Sequence, residues 1–129
     1  MARTVRDSGI VVLEAINVDL TAASADCPVE MFCPGDGAQL LDWTLVVSVA
    51  GVGAGTHTCT LEHGVGAAGV AVSAEIAFIA TNAADTQVTA DGVYLATTTQ
   101  GTRMQIKNVE SGTNITTGAI VDVIARWQL

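Results

Sequence analysis

The chain has 129 residues, half of them apolar, with 4% aromatic and 14% charged residues: enough for one domain with a real core, with little to furnish amphipathic surface helices. Five basic against thirteen acidic residues give a net charge of -8, which repels a phosphate backbone and weighs against nucleic acid as a partner. No run approaches the roughly 18 consecutive apolar residues that span a bilayer, and MARTVRDSG leads into no cleavable signal, so the expectation is a soluble, cytoplasmically made protein with no membrane partner.

In chain order, residues 1–9 read as a polar N-terminal arm, followed by GIVVLEAINVDL, a β-branched and extended stretch. Residues 21–38 hold Pro28, Pro34, Gly35 and Gly37 and are expected to form a long irregular loop. Cys27 and Cys33 lie in it, either as free thiols or as a local bridge. With Cys59 the cysteine count is odd, which argues against a complete disulfide framework.

LLDWTLVVSVAG places Leu41, Trp43, Leu45, Val47 and Val49 on one face, as a strand with one core side does. GVGAG breaks it, and a second alternating run sets Thr56, Thr58, Thr60 and Glu62 against His57, Cys59, Leu61 and His63. These two runs are expected to form a hairpin. Val70, Val72, Ala74, Ile76, Phe78 and Ala80 then share a face, and shorter runs follow at 86–90 and around VYLATTT. TRMQIKNVE sets Met104 and Ile106 against Arg103, Gln105 and Lys107. The last run places Ile115, Thr117, Ala119, Val121, Val123, Ala125 and Trp127 on one side. Turn formers stand between the runs at 81–82, 91–92, 100–101 and 111–112. The expectation is an all-β fold: a β-sandwich or jelly roll of about eight antiparallel strands over 10–129, with an arm at 1–9 and a long loop near 21–38.

Chemical motifs are few. Gly64, Gly66 and Gly69 match G-x-G-x-x-G, but a strand follows where a dinucleotide site needs a helix, so the glycines are read as a hairpin loop and no cofactor is expected. His57 and Cys59 are the candidate metal ligands because alternate strand residues point the same way. His63 is about 20 Å from His57 along an extended strand, too far to share one ion. The competing reading fills the core with Cys59 and Leu61 and leaves the histidines near strand ends. Asp91 with Asp122 or Glu75 is the one conceivable glycosidase pair, and nothing in the spacing demands it. Asn114-Ile115-Thr116 matches a glycosylation sequon, which carries no weight in a chain read as cytoplasmic. No catalytic residue is assigned, and no enzyme is expected. The apolar, charge-poor composition points to subunit contacts.

Residues 41–126 resemble small β-sandwich structural proteins of tailed-bacteriophage virions. The resemblance rests on Thr58 to Gly64, on Gly92-Val93-Tyr94, on Arg103 to Val109 and on Gly112 to Ala125. The chain departs from the pattern where Gly64-Val65-Gly66 replaces an acidic "DDG". What the resemblance implies is a non-enzymatic capsid decoration (cement) protein, a homotrimeric jelly roll on the exterior of the phage head with the major capsid protein as partner. Under that reading Arg3 and Arg6 of the arm, and Met31 and Phe32 as an exposed apolar anchor, are the candidate partner contacts. The alternative is a carbohydrate- or receptor-binding module of a fibre or adhesin. Trp43 and Trp127 fall on core registers, leaving Tyr94 as its candidate sugar platform.

Overall fold

Trp43 faces Ala125, Leu45 faces Val123 and Val47 faces Val121 where β3 (Gln39–Val49) runs antiparallel to β9 (Ile120–Gln128). Alternation turns all six side chains to one side, and all six are buried. The largest of the six, Trp43, thus sits beside the smallest, Ala125. β1 (Ile10–Asp19) pairs with the other edge of β9, and β7 (Gln87–Asp91) with the other edge of β3, giving a four-stranded sheet ordered β1-β9-β3-β7.

The facing sheet is built on β4 (Val52–His63) and β8 (Arg103–Thr117), with β2 (Ala25–Phe32) on the far side of β8. Two short strands, β5 (Val70–Ala71) and β6 (Ile76–Ile79), both pair with the free edge of β4. Between them the Val72 N–H donates to the Leu61 carbonyl, and the Ser73 hydroxyl accepts from the Leu61 N–H. A side chain thus fills one rung of the ladder, and β5 with β6 act as one interrupted strand. Counted so, the nine strands become eight, and every successive pair except β4 and β5/β6 switches sheets, as in an eight-stranded jelly roll. The computed structural model describes residues 9–129, without the side chains of residues 111–113. The all-β sandwich expected from periodicity is the observed architecture.

Four local expectations are overturned. The long loop at 21–38 holds strand β2, in which Cys27, Val29 and Met31 point into the core while Pro28 occupies an edge position that needs no ladder N–H. β3 and β4 form no hairpin; Ala50-Gly51 carries the chain from one sheet to the other, anchored by the Gly51 N–H on the Ala80 carbonyl. β8 runs through Ser111-Gly112 without turning, since irregular pairing against β4 absorbs the glycine. Residues 93–100 form no strand. A bulge at Leu41 also shifts the phase of β3, so Leu40 rather than Leu41 is buried, and Val49 is exposed.

Candidate functional site

The polar residues of β4 lie inside the sandwich. His57 is fully buried in mid-strand, not near a strand end, because its ring satisfies two neighbours at once. Its Nε2 lies 3.2 Å from the Ala119 N–H, which only donates, so Nε2 is the acceptor and Nδ1 carries the proton. That proton is donated to Asn108 Oδ1 at 3.0 Å. The Asn108 amide reaches on to the Leu20 carbonyl at 2.7 Å, and the Cys59 thiol lies 3.8 Å from Asn108 Oδ1. Burial holds the His57 pKa below its ordinary value, opposed by the Asn108 hydrogen bond and by Glu110.

Cys59 is buried, and burial pushes its thiol up to about 12, so a thiolate ligand or nucleophile is disfavoured. The structure brings His57 and Cys59 onto one asparagine, and among the described residues no group of three metal-ligating side chains gathers around them. Cys27 and Cys33 are free, buried thiols. Burial raises both, Cys27 to about 11. Asn108 was not among the residues singled out by sequence, although it continues the buried phase of Met104 and Ile106.

The glycine-rich stretch is the β4–β5 turn, a single 3-10 turn over Gly66–Ala68 followed by a strand. Gln105, fully buried, clasps it: its carbonyl accepts the Gly66 N–H at 2.6 Å, while its amide donates to the Gly66 carbonyl and to Glu62 Oε1. No periodicity marks Gln105, which lies on the opposite phase from Met104 and Ile106. A Cβ at Gly69 would strike both Gln105 and Glu62. Gly69→Ala is accordingly expected to cost about 2 kcal/mol in denaturant unfolding, whereas Gly66→Ala meets open space and costs only its positive backbone angle.

Asp91 and Asp122 are not a glycosidase pair. They pair with Asp42 and Val46 from opposite sides of β3, about 13 Å apart along the strand and about 10 Å across. Either separation is wider than acid–base work on one bond allows. Glu75 is exposed in the segment between β5 and β6. Asp42 instead takes a bidentate bond from Arg126, which holds its carboxyl below the usual range and ties β9 to β3 on the outer face.

Two surface features remain. One end of the sandwich gathers the loops 33–38, 64–69 and 92–102 together with Gly9 and Leu129. The tie points are Gly37 N–H on the Thr98 carbonyl, Thr99 N–H on His63 Nε2, Gly64 N–H on the Arg103 carbonyl, and Leu129 N–H on the Gly9 carbonyl. Six exposed apolar side chains lie at this end: Phe32, Val65, Val70, Val93, Tyr94 and Leu129. Tyr94 is 76% exposed and Phe32 47%. Met31, expected beside Phe32 as a surface anchor, is 2% exposed and belongs to the core, because alternation along β2 turns it inward. Arg3 and Arg6 lie outside the described residues.

The second feature is a groove of about 410 Å³ along one flank, where the edge strands β1 and β2 of the two sheets lie side by side. Ile16, 70% exposed, lines it together with Asp19 from the β1 side and Asp26 and Glu30 from β2. Its one cation, Arg103, is engaged by the Val29 carbonyl and by Glu30 at 3.0 Å.

No protein-family profile and no curated protein sequence matches the chain. Solved structures similar to it include a chain of the infectious bursal disease virus Gx strain, at 16% identity and a TM-score of 0.48 over 92% of this chain. Another belongs to the T13 viral particle of the same virus, at 12% identity and a TM-score of 0.41, again over 92% of this chain. The chain spans about a third of the length of these neighbours, 33% and 38% respectively.

Proposed function

We propose that the chain is a virion structural protein of the capsid decoration type, which docks on the outer surface of a phage head and stabilises it. The observation that carries this reading is the loop-bearing end, where a rigid jelly roll presents Phe32 and Tyr94 among aliphatic side chains, as the buried centre of a protein interface requires. Gly9 lies at this same end, and Arg3 and Arg6 of the segment before it are retained as candidate contacts. Self-association as a trimer on the head multiplies a weak single-site contact.

The test is co-sedimentation with phage heads assembled without this protein. Phe32→Ser combined with Tyr94→Ser is expected to weaken binding at least about a hundredfold, as loss of two aromatic anchors does, while the unfolding midpoint stays near that of the parent. Equal binding by the double variant removes the loop end from the mechanism. The exposed Tyr94 ring also suits a sugar platform, the second reading. A glycan screen in which Tyr94→Ala alone abolishes binding and Phe32→Ser has no effect would favour that carbohydrate module.

A further inference from the structure

We infer that the flank groove between β1 and β2 is the seat of residues 1–8 from a second copy of the chain, so that copies are linked by exchanged arms. This deepens the self-association in the reading above, and its readout needs no phage head, so it stands or fails apart from capsid docking.

Charge complementarity carries the inference. The groove presents three carboxylates against one guanidinium, and that guanidinium is already paired with Glu30. Among the described residues the Asp26 carboxylate has no hydrogen-bond or ion-pair partner, and the Asp19 carboxylate accepts only the Thr21 N–H. In a protein of net charge -8 with five cations, the segment MARTVRDS carries two of them, Arg3 and Arg6. Two guanidinium groups match carboxylates on both walls: Asp19 on the β1 side, Asp26 and Glu30 on the β2 side. Val5 lies between them in sequence, and Ile16 offers it an exposed apolar contact.

Reach decides whose arm it is. An arm returning to its own groove starts at Gly9, whose carbonyl is held by the Leu129 N–H and Gln128 Nε2. At roughly 3.3 Å per residue it carries Arg6 about 10 Å and Arg3 about 20 Å, whereas Asp19 lies about 33 Å along β1. A neighbour's arm has no such tether. Edge strands accept extended segments in this way, and exchange of a terminal element is an accessible route to closed oligomers.

The experiment is light scattering on the full chain at two salt concentrations, with three variants: Arg3→Glu with Arg6→Glu, Asp19→Lys with Asp26→Lys, and all four combined. The parent is expected to associate, either reversal alone to weaken association at least about tenfold, and the combined swap to restore it. Unfolding midpoints check that each variant folds. In parallel, labelled peptide MARTVRDSG should bind the Arg3→Glu/Arg6→Glu chain and not the Asp19→Lys/Asp26→Lys chain. A parent that stays monomeric at all concentrations, association unmoved by both reversals, or a swap that fails to restore it overturns the inference; a monomer whose arm lies on its own groove falls under the first of these.

Discussion

Asn108→Ala is expected to lower stability by about 3 kcal/mol, a large share of the roughly 5–15 kcal/mol that holds a domain of this kind together. The cost comes from the partners left behind. Truncation strands the His57 Nδ1 proton and the Leu20 carbonyl in a dry interior, each worth about 1–3 kcal/mol when buried without a partner. His57→Phe with Asn108→Leu leaves the Ala119 N–H and the Leu20 carbonyl without their side-chain partners but strands neither half of the His57–Asn108 bond, so it is expected to cost less than the sum of the two single variants. That non-additivity in a denaturant-melt cycle separates a satisfied polar network from simple loss of packing. A double-variant loss equal to or greater than the sum of the two single losses would reject the network.

The same ring makes stability pH-dependent. His57 is neutral in the fold because burial lowers its pKa below the ordinary 6.5, and protonation would set an Nε2 proton against the Ala119 N–H. The unfolded chain therefore binds the proton first. Stability contributed by neutral His57 is fully present above about pH 6.5 and is lost as pH falls below that value, ahead of the carboxylate range. Unfolding midpoints measured from pH 7.5 to 5 should fall for the parent and stay flatter for His57→Phe.

How much of this could be read from residues alone depends on what alternation encodes. Period two reports which way a side chain faces, and the buried faces of β4 and β9 follow from it directly. It says nothing about which strand lies alongside. Val47 and Cys59 both face the core, yet their strands belong to opposite sheets, because Ala50-Gly51 crosses the sandwich instead of closing a hairpin. β2 was obscured by Pro28 and the flanking glycines, even though Cys27, Val29, Met31 and Cys33 alternate cleanly; an edge strand tolerates a proline that a central one would not. At the candidate docking end, Phe32 was legible as an apolar residue beside turn formers. Tyr94 was legible as an exposed ring because the two tryptophans fall on core registers; Val65 and Val93 were not, since the loops that expose them are brought together by tertiary hydrogen bonds such as Gly37 to Thr98 and Thr99 to His63.

Gly92→Ala is expected to be among the most damaging methyl additions, at about 3 kcal/mol or more. Gly92 stands where β7 leaves the four-stranded sheet: its N–H donates to the Leu41 carbonyl, it bridges Ser73 of the facing sheet, and the next residue, Val93, donates to the Val72 carbonyl. A Cβ there would drive into the Leu40 carbonyl, which belongs to backbone and cannot rotate away. Gly101→Ala is the matched control, since it meets nothing nearby and pays only for a backbone angle of +84°, about 1 kcal/mol. Because Val93 and Tyr94 follow directly, the seam that Gly92 closes also sets where the exposed aromatic sits. A variant that still folds is therefore expected to bind phage heads more weakly than its stability loss alone accounts for. If binding instead tracks the folded fraction, Tyr94 does not depend on this seam for its position, and Phe32 becomes the residue on which end-on docking turns.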